Sequence, residues 1–254
     1  QELQSNPRSA AIMLGQRDWS PELASLPTRV LPGRGRVEAD PPSRDEGVHN
    51  RMPEAIQRLM RSAQREVMIT NAYIIPDEAF HEDLKALVRR GVKVRILTNS
   101  LASHDVPAVN SHYEGWRVPF LKLGIDLHEM RADAAIQGGL VDTPPVRGEF
   151  VGLHRKAVVV DRERAFIGSM NLDPRSEIFN SEMGVIIDSP SLSLALAEGM
   201  ERDMSPANSW RLSLAEDGTP RWSSDTVTLS RQPARDLLQR VMNLMFKLFP
   251  PYLY

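Results

Sequence analysis

The chain has 254 residues, 41% hydrophobic and 25% charged, with a net charge of -2 and a pI near 6.4. This balance excludes a disordered protein and argues against a dedicated nucleic-acid binder, which carries a basic excess. There is no cysteine, which excludes disulfides, thiol chemistry and cysteine zinc sites, and no apolar run approaches the ~20 residues needed to span a bilayer.

Residues 1–52 are irregular, punctuated by Leu26-Pro27, Leu31-Pro32-Gly33 and Pro41-Pro42-Ser43, and read as a connecting segment with one short helix and one short strand. Residues 53–254 read as one regular domain that ends in a helix. Ile56, Leu59, Met60 and Ala63 fall at helical spacing behind Pro53. Val67–Tyr73 predicts a strand, and Phe80, Leu84, Leu87 and Val88 share one face of a helix that Gly91 ends. Val92–Thr98 predicts the next strand. A strand–helix–strand unit of this kind implies parallel strands covered by helices. A helix over 112–123 and a strand over 125–129 follow, then a Gly- and Pro-rich loop over 131–152. Beyond it come strands over 154–160, 165–168 and 183–187, a helix over 191–204, strands over 210–214 and 226–229, and a final helix over 234–248.

The chemistry concentrates in His154-x-Lys156-x4-Asp161-x6-Gly168-Ser169-x-Asn171. His154 and Lys156 lie two apart on an expected strand, so imidazole and ammonium leave the same face. An imidazole that is unprotonated near neutral pH can attack phosphorus. An ammonium neutralises the non-bridging oxygens as charge builds on them. Asn171 can donate an amide N–H to the same oxygens and Ser169 a hydroxyl. Gly168 allows close approach of backbone. Asp161 lies past the strand end and reads as structural. Glu182 is the candidate carboxylate for the far nitrogen of the histidine, where it fixes the tautomer. A lone His-x-Lys means little; the joint match of six fixed positions carries the reading.

These residues resemble the signature of the phospholipase D superfamily. Leu153–Lys156, Phe166–Ser176 and Asn180–Gly184 are similar to the second such motif of bacterial cardiolipin synthases, above all the C-type branch. Thr98–Ser103 with Asp105-Val106, and Val241-Met242 to Leu248-Phe249-Pro250, resemble that branch too. The resemblance runs from about residue 53 to the end. It implies an α/β/α sandwich with a mixed, largely parallel central sheet, two such halves facing each other across a pseudo-twofold axis. Each half contributes one motif. One histidine becomes a phosphohistidine, while the other protonates the leaving group and activates the acceptor, with no metal or other cofactor. The implied donor is a phospholipid, phosphatidylethanolamine in the C-type branch, and the acceptor is a phosphatidylglycerol hydroxyl. The implied place is the cytoplasmic face of the bacterial inner membrane, as a peripheral protein on the membrane surface, with no nucleic-acid partner.

Only one motif is present. His49, His81, His104, His112 and His128 are not followed by x-Lys. The start at Gln1 and the likeness to a second motif favour the C-terminal half of a two-motif enzyme, residues 1–52 joining the halves and the other motif lying on the missing half or a second subunit. The alternative is a single-motif phospholipase D or nuclease completed by homodimerisation. A phosphate-binding module without activity is a third reading, which the intact His154–Lys156–Asn171 set opposes.

Tyr73 and Asn99 follow expected strands, where ligands gather in α/β sheets, and are candidate substrate-binding residues. Leu237, Leu238, Val241, Leu244, Met245 and Leu248 form an apolar stripe. Such a stripe is normally the face a surface helix packs on its domain. The neighbouring Phe249, Tyr252, Tyr254 and Lys247 allow an interfacial membrane element instead.

Overall fold

The computed structural model describes residues 7–41, 50–137 and 148–253. Pro42, Ser43, His49, Tyr254 and the 138–147 part of the Gly- and Pro-rich loop lie outside the described residues.

Ten strands build one sheet: β1 (Arg34–Ala39), β2 (Glu66–Asn71), β3 (Lys93–Asn99), β4 (Asp126–Met130), β5 (Lys156–Val160), β6 (Arg164–Gly168), β7 (Met183–Asp188), β8 (Ser209–Leu214), β9 (Pro220–Ser223) and β10 (Thr228–Leu229). Their order is β1-β7-β6-β5-β2-β3-β4-β8-β9-β10. The helices are α1 (Pro7–Met13), α2 (Ser20–Arg29), α3 (Met52–Arg61), α4 (Glu78–Arg89), α5 (Pro107–Tyr113), α6 (Arg117–Leu123), α7 (Pro174–Ile178), α8 (Pro190–Asp203) and α9 (Leu237–Phe246).

The α/β sandwich and the mixed sheet are as expected. The parallel share is smaller than expected, confined to β2–β3 and β3–β4. Every other neighbouring pair is antiparallel. The cause is connection length. β2, β3 and β4 are joined through helices, whereas the short turns after β5 and β8 force the chain straight back.

The central strands are buried on both sides, which explains their continuous apolar runs. Alternation divides them between two cores. Ile69, Ile96 and Val158 pack under α3, α4 and Phe120 of α6. Met68, Leu97 and Val159 pack under Ala197 and Met200 of α8, with Val151 and Leu153. Helix α3 presents Ala55, Ile56, Leu59 and Met60 inward, the face its periodicity predicts. The helix expected over 112–123 begins at Pro107 and is interrupted by a 3-10 turn over Glu114–Trp116. Pro119 has no N–H to return to the Gly115 carbonyl, so one continuous helix is disfavoured there.

Two further differences bear on function. The short strand expected before α3 forms as β1, but it joins the sheet as an edge strand, pairing along the whole of β7. The final helix packs on the domain by its polar side: Gln239 and Asn243 are buried, and Leu237, Leu238, Leu244 and Met245 are exposed. The expectation that its leucine stripe faces the core is therefore overturned, because the surface it meets is polar, with the Leu101 carbonyl, Asn110 and Glu114 as partners. No helix among the described residues is long and apolar enough to cross a membrane.

Candidate active site at one rim of the sheet

The C-terminal ends of β2, β3 and β6 and the first residues of β5 and β7 meet at one rim. Asn71 is the register partner of Lys156 across β2 and β5. Ala157 pairs with Ile167, and continuing that register sets Lys156 level with Gly168. Sheet pairing alone thus gathers residues far apart in sequence.

His154 precedes β5 rather than lying in it. The lead-in is held by a side chain: Asn99 Oδ1 accepts from Leu153 N (2.9 Å), and its Nδ2 donates to Leu153 O (2.9 Å) and Ala72 O (3.1 Å). Arg155 pairs with buried Asp203 of α8 at 2.8 Å. His154 is exposed and Lys156 is buried. Lys156 Nζ donates to His154 O (3.0 Å) and lies 3.0 Å from Nδ1 and 3.2 Å from Nε2 of the ring. Burial pushes the Lys156 ammonium below the ordinary lysine range, and the charges of Glu182, Asp105 and Asp173 oppose this.

Asn171 sits in a loop anchored by Asn71, whose Nδ2 donates to Met170 O (3.2 Å) and whose Oδ1 accepts from Leu172 N (3.4 Å). Ile75 N donates to Leu172 O (2.8 Å). The Asn171 amide oxygen is buried without a hydrogen-bond partner, an orphan that a bound group could satisfy.

Gly168 faces Gly184 across β6 and β7. A Cβ at Gly168 would stand 2.6 Å from both Met183 O and Phe166 Cζ. The motif glycine is therefore required by the Phe166 ring, which lies over both glycines. Ser169 is spent within the site, not offered to a ligand: its hydroxyl donates to Glu182 Oε2, and it accepts from Met183 N (3.1 Å).

Glu182 is buried at this rim, but no hydrogen bond joins it to His154. Its oxygens are taken by Ser169 and by Asn180 Nδ2 (2.9 Å). The expected contact to the far ring nitrogen is thus not formed. Asp40 holds the loop from behind, accepting from Glu182 N (3.1 Å), Arg51 N (2.6 Å) and Met52 N (2.9 Å). The segment expected to be a mere connector therefore fixes a site residue.

Asp161 lies at the opposite rim, about 16 Å along the strand at ~3.3 Å per residue. It accepts from the backbone N–H groups of Gln64 (2.9 Å), Arg65 (2.7 Å) and Glu66 (2.9 Å). Burial works to raise this carboxyl, and the three donors hold it below its ordinary value. With Arg162 it occupies the left-handed region (φ 56 and 57) of the β5–β6 turn. It is structural.

Tyr73 stands at the site, its ring edge-on to His154 (6.4 Å between centroids) and stacked on His104 (5.2 Å). Its hydroxyl donates to Asp105 (2.9 Å), and burial, reinforced by that carboxylate, pushes the phenol well above its ordinary value. Asn99 is 1% exposed, with both amide ends occupied. Its carboxamide holds the backbone that leads into His154. Asn71 and Asp40 do not stand out in the sequence, and Asp105 and Asn180 do so only as members of stretches that resemble the family, since each acts through a partner brought to it by the fold. Among the described residues no group of three or more His, Asp or Glu is arranged to hold a metal ion.

Comparison with known proteins bears on the family and the fold. Residues 56–204 match the family model described as cardiolipin synthase, PLD-like domain. Cardiolipin synthase C of Escherichia coli (strain K12) is 31% identical over 247 residues, covering 93% of this chain and 52% of that protein. The chain thus spans about half the length of that curated relative. Two solved structures share the fold at low identity. NucT from Helicobacter pylori has a TM-score of 0.52 and 14% identity, over 70% of this chain and 98% of its own. The phosphatidylserine synthase of Haemophilus influenzae Rd KW20 has a TM-score of 0.50 and 15% identity, over 71% of this chain and 40% of its own.

Proposed function

The chain belongs to the phospholipase-D-like domain family of cardiolipin synthases, and from that premise we propose that it supplies one catalytic half of an enzyme that transfers phosphatidyl groups between phospholipids. The observation that carries this is Lys156 Nζ held against the exposed His154 ring. A phosphodiester seated there has its non-bridging oxygens at the Lys156 ammonium and an imidazole at phosphorus, and the Asn171 amide N–H is the donor for a further oxygen.

The reaction has two displacements. A ring nitrogen of one motif histidine attacks phosphorus, forming an N–P bond as the bond to the departing alcohol oxygen breaks. The other motif histidine of the pair, in which His154 is one and the second lies on the other half or a second subunit, gives that oxygen a proton. It then takes the proton of the acceptor hydroxyl, whose oxygen attacks phosphorus and breaks the N–P bond. With phosphatidylglycerol as acceptor and a second phospholipid as donor, the product is cardiolipin. Glu182, with Ser169 and Asn180 on its oxygens, supports the charge of Lys156 from within the site.

The chain is assembled with the partner carrying the other motif and incubated with labelled phosphatidylglycerol and phosphatidylethanolamine, and the lipids are separated. Cardiolipin is the expected product. Phosphatidic acid alone would instead mean that water is the acceptor, the phospholipase D reading.

A further inference from the structure

Helix α9 is inverted relative to an ordinary surface helix. Its buried side chains are Gln239 and Asn243, at 4% and 3% exposure, while Leu237 (75%), Leu238 (66%), Leu244 (65%) and Met245 (58%) face solvent, followed by Leu248 (85%). Specific partners impose this orientation. Gln239 Nε2 donates to Leu101 O (2.6 Å), and its Oε1 accepts from Arg235 N (2.9 Å). Asn243 Oδ1 accepts from Asn110 Nδ2 (2.7 Å), and its own Nδ2 donates to Glu114 Oε2 (3.0 Å). Rolling the helix to bury its leucines would strand these polar groups, which opposes the roll.

The helix is also tied to the site. The carbonyls of Leu101 and Ala102, which Gln239 and Arg235 grip, belong to the loop that carries His104 and Asp105 behind Tyr73. Beyond the helix, Leu253 O accepts from Arg175 Nη1 (3.5 Å) of α7, the helix that follows Asn171. The C-terminal element is thus anchored both on the loop that carries His104 and on α7.

Its charge indicates what covers it. From residue 231 onward, Arg231, Arg235, Arg240 and Lys247 are all exposed, and the same stretch holds a single acidic residue, Asp236, in a chain whose net charge is -2. Lys247 also pairs with Glu114 of the domain beneath. An apolar face with a cationic rim is the chemistry of a helix lying in the headgroup region of anionic lipid. Ten residues make about 15 Å of helix, too short to span.

We propose that the outward face of α9 docks on an anionic phospholipid surface and holds the His154 rim at the headgroups. The proposal rests on the phosphatidyl-transfer reading for its purpose, but its measurement needs no turnover. The assembled protein is sedimented with vesicles of equal parts phosphatidylglycerol and phosphatidylcholine, and with phosphatidylcholine alone. Binding to the anionic vesicles is expected, weakened at least about tenfold in the Leu238→Glu/Met245→Glu variant. Both side chains are exposed, and thermal melting checks that the variant folds. In a Leu244→Trp variant the emission is expected to shift to the blue on adding anionic vesicles. Absent binding, binding unchanged by the double substitution, or an unshifted emission from the Leu244→Trp variant would overturn the proposal. So would a double variant that dissociates a self-association of the wild type yet still binds vesicles, since the face would then belong to a second copy. Vesicle binding without lipid product would leave the docking surface standing and count against the transfer reading alone.

Discussion

The Asn99 side chain closes on both sides of one residue: its carboxamide oxygen accepts from Leu153 N and its amide donates to Leu153 O, each at 2.9 Å. The next residue is His154. An element at the end of one strand thereby sets the lead-in of another, 54 positions later, where no backbone pairing holds it. Asn99→Ala leaves Leu153 N and O unpaired in a buried position and should cost about 1–3 kcal/mol in urea unfolding. Because the histidine itself is intact, kcat should fall while KM changes little. An equal rise in KM would argue that Asn99 touches substrate.

Gly168→Ala places a Cβ 2.6 Å from Met183 O and the Phe166 ring. Overpacking of this kind costs about 1–3 kcal/mol, to be read as a lowered Tm. Gly91→Ala is a useful contrast. Its φ of +80 also strains a side chain, but nothing lies within 4 Å of the added Cβ, so a smaller loss is expected.

Burial pushes the Lys156 ammonium below the ordinary lysine range, and the charges of Glu182, Asp105 and Asp173 work against that shift. The alkaline limb of kcat/KM should therefore fall below the ordinary lysine range. Glu182→Gln removes one supporting charge and should move that limb to lower pH. A limb that does not move would detach Glu182 from the chemistry of Lys156.

Glu177, on the helix that follows Asn171, has its carboxyl pushed up to about 7 by burial, with repulsion from Asp77 and Asp173. Between the ordinary value of 4.5 and about 7 the folded state binds more protons than the unfolded state, so this group lowers stability as pH rises through that window. Glu177→Gln should match the wild type below the window and exceed its Tm above it.

Arg117 is buried with Glu129, its Nε donating to Oε1 at 2.6 Å, and Trp222 Nε1 donates to the other oxygen at 2.7 Å. Arg117→Met strands the Glu129 carboxylate and should cost about 3–5 kcal/mol in chemical denaturation. The same guanidinium reaches Gln232 and Asn110, which lead to α9, so the C-terminal helix should loosen first, seen as faster amide exchange over 237–246.

The elements that read correctly from sequence are those with one strong local signal: the apolar runs inside the strands expected over Val67–Tyr73 and 154–160, which form β2 and β5, and Ile56, Leu59 and Met60 at the spacing of one helix face. Periodicity reports that a helix is two-faced, not which face is covered. That is why the sequence misleads at α9: Gln239 and Asn243 look solvent-facing until Leu101, Asn110 and Glu114 are brought beneath them. Strand direction is under-read for a similar reason, since local pattern does not name a neighbour. At the rim, the motif spacing locates His154, Lys156 and Asn171, because it is a local signal. Asp40 on Glu182 and Asn71 on Met170 depend on contacts 142 and 99 positions apart and leave no local trace.

Phosphatidyl transfer by the assembled two-motif protein carrying His154→Ala tests the proposed chemistry most directly. His154 is exposed and outside the core, so the variant should melt like the wild type. Both cardiolipin formation and phosphatidic acid release are predicted to fall to background. Turnover within about tenfold of the wild type, a difference of only ~1.4 kcal/mol in the barrier, would contradict the role given to His154.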